Sequence, residues 1–411
     1  MNKIKRVHYG WVVVLVSACL MMVQALRMFS FGIFLKPISS EFGWGRGEIS
    51  SAFAIAMLVS GAFAILSGRA ADRYGPRLLV TISGTLVAAG FFLMSRINSI
   101  WQVQLIWGVF MGLGGCFFFI PITTALLRWF VKRRGAAMSL TGAGFGLGGI
   151  IAPPLCQALI ATFDWRTTYT ILSLITLTMV IPLAQFLKKS PEQAGMRAYG
   201  AEPDGDNGVI SPASRANADF SFTGALKTGR FWLFGFLQLC FFSSLQVVLV
   251  HINPYALDIG IPALTAASIV SFISAFSTAG RIATGFLSDR LGGKPMLVAC
   301  LFTATVALVL LFFAREVWMF YLFAVVFGLA YGGIVPLTSI VPVELFGIKN
   351  FGVIYAGLTL VSTIGESMGA PAAGFIFDVT GSYQIAFLLC IVLGSLALTF
   401  SILLMRDGKK R

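Results

Sequence analysis

Charged residues are scarce in this sequence of 411 residues. Only 11% are charged, whereas soluble domains usually carry about a quarter, and 57% are hydrophobic. Histidine is almost absent, with His8 and His251 alone, and the six cysteines are scattered without C-x-x-C spacing. We therefore predict no disulfides, no metal site and no cofactor. This composition, with a mean hydropathy of +0.88, indicates an integral membrane protein and excludes disordered and collagen-like chains.

Basic residues outnumber acidic ones by 30 to 16, but they mostly lie between apolar blocks, which argues against nucleic-acid binding. Twelve apolar blocks have the roughly 20 residues that a helix needs to cross a bilayer core of about 30 Å. They predict an all-α polytopic membrane protein. Predicted helices one to twelve are Trp11–Leu35, Ile49–Ser67, Leu78–Ser95, Trp101–Leu127, Ala136–Phe163, Thr167–Leu187, Phe231–Val250, Ala263–Leu287, Pro295–Phe313, Val317–Val341, Phe351–Ile376 and Gln384–Met405.

The basic residues also orient these helices. With a cytoplasmic N-terminus, 23 of the 30 lie in cytoplasmic segments and five in external ones, as the positive-inside rule requires. Both termini are therefore predicted to be cytoplasmic, in the plasma (inner) membrane. Trp11–Leu35 is too long for the apolar region of a cleaved signal peptide, so it is interpreted as helix one. We expect the monomer to be the functional unit.

One long polar stretch, Lys188–Arg230, interrupts the apolar pattern. Its central sequence AEPDGDNGVISPASRANAD is rich in Gly, Pro, Ser and acidic residues, a composition that cannot bury a hydrophobic face. We interpret residues 188–230 as a cytoplasmic linker between two six-helix bundles, residues 1–187 and 231–411.

A charged motif occurs once in each half, at the cytoplasmic end of its second helix. The pattern is G-x3-D-R-x-G-x-[RK], and each position of the second copy lies 217 residues after its counterpart. Its residues are Gly68, Asp72, Arg73, Gly75 and Arg77, then Gly285, Asp289, Arg290, Gly292 and Lys294. Glycine permits close helix approach, and Asp and Arg at a helix end can cap it or pair across a closing gap. The repetition indicates a duplicated gating motif; the alternative is a pair of solvated charged turns.

Three further stretches are distinctive: HYGWVVV at His8–Val14, WFVKRRG at Trp129–Gly135 leading to Gly142–Gly144, and ELFG at Glu344–Gly347 followed by Asn350–Gly352. With the motif pair and the twelve helices, they make the whole chain resemble the major facilitator superfamily. More narrowly, it resembles the branch of monocarboxylate transporters and oxalate–formate exchangers. The resemblance implies two bundles that rock about a central site, with helices one, four, seven and ten around the cavity.

Charges within the spans are the first candidates for function, because each costs at least about 2.5 kcal/mol at the bilayer centre. The resemblance implies that Arg281, on helix eight, binds a substrate carboxylate; the alternative is that its side chain snorkels to the cytoplasmic end of the helix. Arg27 is two residues from Phe29 and thus on another side of helix one, which favours a structural role.

Two residues are candidates for proton coupling. Glu366 lies near the middle of helix eleven, where a dry surrounding favours the neutral carboxyl; it could instead pair with a cation or bond to nearby backbone. His251 titrates in the useful range but lies at the outer end of helix seven, where an interfacial position is the alternative.

Aromatic residues at family cavity positions complete the predicted substrate site; each could instead be a packing residue. The resemblance assigns Phe29, Phe119, Phe145, Tyr331 and Tyr355 to the cavity. Leu358 occupies the place of the exchanger's second cation, so a pair of cations for a dicarboxylate is not evident. Ser277 and Phe29 stand where animal monocarboxylate transporters have an Asp and a Lys, which leaves the coupling group open.

These observations predict a secondary active transporter of small monocarboxylates such as lactate or pyruvate, by proton symport and alternating access. Its partners would be a small carboxylate substrate, protons and the lipid bilayer. The alternative is an exchanger of oxalate-like organic anions, with Arg27 as second cation. A remote alternative is a membrane-embedded sensor or enzyme; the sequence has no catalytic cluster, and we predict that the protein is not an enzyme.

Overall fold

The fold is given by a computed structural model that describes residues 8–131, 133–200, 220–347 and 350–407. Within these ranges, twelve helices are long and apolar enough to cross a membrane, as the sequence predicts. They are α1 Tyr9–Phe42, α2 Arg46–Tyr74, α3 Pro76–Met94, α4 Ile100–Trp129, α5 Arg134–Thr162, α6 Trp165–Gln185, α7 Gly229–Asp258, α8 Ala263–Leu291, α9 Gly293–Phe313, α10 Val317–Phe346, α11 Phe351–Thr380 and α12 Gln384–Asp407.

Glycines with positive φ end several helices where the motifs predict turns. Gly75 (φ 79°) separates α2 from α3, and its counterpart Gly292 (φ 87°) separates α8 from α9. A side chain would be strained in this left-handed region, so glycine is needed there. Gly43 (φ 68°) ends α1 at Phe42, seven residues beyond the predicted Leu35, because Pro37 is tolerated inside the helix.

Helix pairing repeats between the two halves of the chain. In the first half α1 packs against α5, α2 against α4 and α3 against α6; in the second half the equivalent pairs α7–α11, α8–α10 and α9–α12 are also in contact. The halves meet through α2–α11, α5–α8 and α1–α7. Because the number of spans is even, Tyr9 and Asp407 lie at one face, called the terminus face. The face that carries Phe42, Arg46 and Asp258 is called the opposite face.

Small residues let the paired helices touch. A Cβ on Gly144 of α5 would overlap the carbonyl of Ala18 in α1, and a Cβ on Gly332 of α10 would overlap the carbonyl of Ser277 in α8. Gly149 of α5 lies against the side chain of Ser274 in α8, across the two halves. Glycine at these crossings permits the close backbone contact by which membrane helices associate.

The two ends of the predicted linker contact the bundles. The Tyr199 N–H donates to the Trp129 carbonyl at 2.8 Å, and the Phe220 N–H donates to the Phe346 carbonyl at 3.1 Å. A short helix, Phe222–Leu226, precedes α7. The polar centre of the predicted linker, residues 201–219, lies outside the described residues.

Candidate functional site

A cavity of about 460 Å³ lies between the two halves of the protein. Its walls come from α1, α4 and α5 of the first half and from α7, α8, α10 and α11 of the second. Among the residues that the structure describes around it, Arg281 and Glu366 are the only charged ones. The cavity is therefore lined by apolar and uncharged polar side chains, together with one cation and one acid.

Six of the predicted substrate and coupling residues lie in the wall of this cavity. They are Phe119, Phe145, Arg281, Tyr331, Tyr355 and Glu366. They come from five different helices and are up to 247 residues apart in the chain (Phe119 to Glu366). The fold thus brings a cation, an acid and four aromatic rings to one chamber.

Phe29 and Leu358 are corrections, because neither lines the cavity. The lining residues of α1 are Met21, Gln24 and Met28, a stripe with spacings of three and four. Phe29 falls one residue off this stripe, which turns it by about 100°, and its ring packs behind the wall against Phe145 at 5.6 Å between centroids.

Leu358 of α11 packs beside the cavity wall and not in it. The lining residues of α11 are Tyr355, Thr359, Ser362 and Glu366, again at spacings of three and four, and Leu358 lies at the edge of that stripe. Its side chain is 0% exposed. It approaches Gly235 of α7, where an added Cβ would be 3.8 Å from Leu358 Cδ2.

Arg281 carries the positive charge of the cavity. It lies ten residues before Leu291, the end of α8, so it is about 15 Å from the terminus face along the helix. Its Nε has no hydrogen-bond partner in the described part of the chain, and its Cζ is 5.9 Å from the Tyr331 ring centre. None of the observed ion pairs involves it. Such a guanidinium retains the planar donor fork that suits a carboxylate.

Glu366 lies in the same wall, near the middle of α11. Within the described ranges, no hydrogen bond or ion pair engages its carboxyl group. A cavity carboxyl without a fixed partner can exchange a proton with water that enters the chamber.

Amide and hydroxyl side chains also line the cavity wall, and they were not predicted from the sequence. Gln238 and Gln246 of α7 are nearly buried, and the Oε1 atom of each lacks a hydrogen-bond partner among the described residues. Thr141 of α5 has an unpartnered Oγ1 in the same wall. An amide in an otherwise apolar span is a detectable signal, because burying it without a hydrogen bond costs at least about 1 kcal/mol.

His251 is a third correction, since it does not line the cavity and is enclosed within the protein. Its side chain is 0% exposed. Its Nε2 lies 2.8 Å from the Ala370 carbonyl oxygen, and its Nδ1 lies 3.0 Å from the Tyr383 hydroxyl. Helix α7 continues to Asp258, past the predicted end at Val250, and this extension encloses His251 within the protein.

Arg27 is buried outside the cavity wall. Its Nε donates to Gln24 Oε1 at 3.3 Å, and its guanidinium lies against Gly115 of α4. The glycine makes the room, because an added Cβ there would be 2.6 Å from Arg27 Nη2. Arg27 therefore packs between α1 and α4, while Gln24 reaches the cavity.

The cavity opens towards the terminus face. Its lining residues begin at Met138 and Tyr355, each four residues into its helix from that face. In the other direction the lining ends at Met28 and Glu366, each 14 residues before its helix reaches the opposite face. Between the end of the cavity and the opposite face, the helices are therefore packed together over roughly 20 Å.

The packing beyond the cavity brings the two halves into contact at the opposite face. A Cβ added to Gly32 of α1 would lie 2.6 Å from the Val250 carbonyl oxygen of α7, and one added to Gly374 would lie 2.6 Å from Gly47 Cα. By contrast, a Cβ on the cavity residue Gly142 would meet nothing within 4 Å.

The duplicated charged motif lies at the terminus face, where the halves are apart. Asp72 pairs with Arg128 of α4 at 2.6 Å, within the first half. In the second half, the Gly293 N–H donates to Glu344 Oε1 at 2.7 Å; the side chain of Asp289 lies outside the described part. Both of these contacts connect helices of the same half.

The chain is similar over nearly its whole length to known transporters. It matches the Major Facilitator Superfamily over residues 16–314 and 258–411. Monocarboxylate transporter 13 of Rattus norvegicus is 28% identical over 92% of this chain and 85% of the relative. Monocarboxylate transporter 11 of Homo sapiens is 28% identical over 96% of this chain and 82% of the relative. The uncharacterised transporter YcxA of Bacillus subtilis is 23% identical over 93% and 91%.

Solved structures share the fold. A bacterial homologue of the human lysosomal transporter Spinster, inward-facing and occupied, has a TM-score of 0.77 at 14% identity and covers 97% of both chains. The nucleoside transporter NupG has a TM-score of 0.74 at 14% identity, over 96% of this chain and 99% of its own. Family, relatives and fold are those of transporters and not of enzymes. The chain belongs to the Major Facilitator Superfamily.

Proposed function

We propose that this transporter carries small monocarboxylates of the lactate and pyruvate type, by proton symport and alternating access. The observation that carries the proposal is Arg281, the one cation in the described cavity wall, which takes part in none of the observed ion pairs. A bound monocarboxylate pairs with this cation, and with Glu366 protonated the closed cavity is neutral. The names of the relatives, monocarboxylate transporters 11 and 13, support the same substrate class.

The single cation also favours one carboxylate over two. A dicarboxylate such as oxalate would bring a second charge into the chamber, and an unpaired charge in a dry site costs several kcal/mol. Arg27 is outside the wall and already engages Gln24. Phe119 and Phe145 offer apolar surface to the alkyl end of a monocarboxylate.

Proton coupling rests on Glu366. A monoanion moved alone would enter against an inside-negative potential. Moving one charge against 100 mV costs about 2.3 kcal/mol. A proton carried with it removes that cost, and Glu366 is the one acid in the described wall. In this mechanism the carboxylate binds Arg281, the proton binds Glu366, and the neutral complex allows the halves to rock.

We place the terminus face in the cytoplasm of the plasma (inner) membrane, because 23 of the 30 basic residues lie on that side. The cavity described above then opens inward. Residues 1–187 and 231–411 are the two bundles that rock, residues 188–230 connect them, and one chain holds a complete cavity, so the monomer is the functional unit.

The substrate class is tested by counterflow in proteoliposomes. Labelled lactate is exchanged against an internal pool while external lactate, pyruvate, formate, propionate and oxalate compete in turn. We expect the monocarboxylates to compete at much lower concentrations than oxalate. Stronger competition by oxalate than by lactate, or no counterflow with any of these acids, would contradict the proposal.

A further inference from the structure

A polar cluster around the buried side chains of Arg46, Tyr383 and His251 joins the two halves at the opposite face. Arg46 itself lies about 20 Å beyond the cavity. Arg46, at the start of α2, donates to both carboxylate oxygens of Asp258 at the end of α7, from Nη1 at 2.6 Å and from Nη2 at 3.0 Å. Lys36 of α1 reaches the same carboxylate at 2.9 Å. Arg46 is only 7% exposed. Two cations of the first half thus hold one acid of the second half.

A second carboxylate of the second half holds the backbone of α2. Asp378 of α11 accepts the Arg46 N–H at 2.7 Å and the Gly47 N–H at 2.8 Å. It thereby caps the first turn of a helix in the other half, where the helix dipole also favours a negative charge. The Phe377 ring lies 3.9 Å from Arg46 Cζ. Gly374 lets α11 come close enough for these bonds.

Tyr383 and His251 position the Arg46 side chain through a chain of hydrogen bonds. Arg46 Nη1 donates to the Tyr383 hydroxyl oxygen at 2.9 Å. Burial raises the pKa of the Tyr383 phenol, so its proton remains bound at physiological pH. The Ala370 carbonyl can only accept, which assigns the ring proton of His251 to Nε2 and leaves Nδ1 to accept from the Tyr383 hydroxyl. Each N–H or O–H proton in this chain of hydrogen bonds therefore has one acceptor.

We propose that Arg46, Asp258, Asp378, Tyr383 and His251 form a gate that holds the opposite face closed and must break for the cavity to open there. The inference rests on the alternating access of the proposed function, but not on the substrate. Asp258 and Asp378 make the contacts between halves, and Tyr383 and His251 act as positioning residues for Arg46.

Distances between spin labels at the two faces test this gate by double electron–electron resonance. One label pair, at cysteines replacing Asn98 and Glu316, reports on the opposite face; a second pair, replacing Tyr74 and Leu291, reports on the terminus face. All four positions are exposed. The background carries Cys19→Ala, because the other five natural cysteines are buried. No substrate is needed, so failure of the monocarboxylate assignment would leave this test unaffected.

Breaking the gate should move the two halves apart at the opposite face and bring them closer together at the terminus face. In Asp258→Asn and Arg46→Ala, we expect the opposite-face distance to lengthen and the terminus-face distance to shorten. The ratio of long to short populations should rise roughly tenfold, since Asp258→Asn leaves the buried Arg46 without its carboxylate partner and Arg46→Ala leaves Asp258 with Lys36 alone. His251→Phe, which removes the acceptor for Tyr383, should give a smaller shift in the same direction. Asp258→Asn is nearly isosteric and keeps the test available if Arg46→Ala does not fold.

The matched control is Arg166→Ala. Arg166 makes a similar ion pair at the opposite face, with Glu41 at 2.8 Å, but both residues belong to the first half. Its loss should leave both distances unchanged. The gate is refuted if the opposite-face distance stays the same in Asp258→Asn and Arg46→Ala, if both faces merely loosen together, or if Arg166→Ala shifts the populations equally.

Discussion

Replacing Arg281 with lysine keeps the charge of the cavity but removes the planar fork that can hold both oxygens of a carboxylate. A charge-assisted hydrogen bond contributes about 1.5–3 kcal/mol, so loss of one of two such bonds corresponds to roughly a 10- to 150-fold loss of affinity. Arg281 is partly exposed and its cavity opens to water at the terminus face, which weakens charge interactions. We therefore expect a loss of about tenfold in Arg281→Lys, and no measurable binding in Arg281→Gln.

The measurement is the dissociation constant of lactate for purified protein, with lactate counterflow as a second readout. Arg27→Lys is the matched control, since Arg27 is an arginine in a span but outside the cavity wall. It should bind lactate like the unmodified protein once the folded fraction is taken into account. Undiminished affinity in well-folded Arg281→Lys and Arg281→Gln proteins would refute the assignment of Arg281 as the carboxylate anchor.

Three further predictions follow from the same contacts. Glu366→Gln should lower proton-driven lactate accumulation severalfold but spare lactate exchange, because exchange needs no net proton movement; equal accumulation would show that the proton is carried elsewhere. Leu358→Lys should lower the unfolding temperature without admitting oxalate, because the new charge enters helix packing and not the cavity; oxalate transport by this variant would contradict the position of Leu358. Gly332→Val should destabilise the protein by about 3 kcal/mol or more, as for other overpacked sites, because its Cβ would overlap the Ser277 carbonyl; Gly352→Ala, with open space around it, should unfold like the unmodified protein.

The spans and the two charged cavity residues are predictable from the sequence for a simple energetic reason. Long apolar stretches have few alternatives to membrane helices. Arg281 and Glu366 are conspicuous because a charge within such a stretch is energetically costly and therefore rare. Rotation about the helix axis is harder to predict. Phe29 is turned by about 100° from the lining residue Met28, whereas Leu358 is turned by about 40–60° from the lining residues Tyr355 and Ser362. Rotations of this size move a side chain from the cavity into the packing behind it.

The pairing of the gate residues could not be found from the sequence. Arg46 and Asp258 are 212 residues apart, and each by itself resembles an ordinary charge in a short external loop. His251 is similar: the apolar pattern weakens near Asn253 and Pro254, which suggested that the helix ends there, yet α7 continues to Asp258. Only the packing of α7 against α11 and the neighbouring Tyr383 shows that the histidine is enclosed.

Lactate accumulation in proteoliposomes under an inward proton gradient distinguishes proton symport from passive equilibration of lactate. The external lactate concentration is held constant, and internal labelled lactate is measured with the gradient, without it, and after its collapse by a protonophore. The account predicts accumulation above the external concentration only while the gradient persists, and none in Arg281→Gln. Equilibration to the external concentration regardless of the gradient would contradict proton symport, and undiminished accumulation in Arg281→Gln would contradict the binding site.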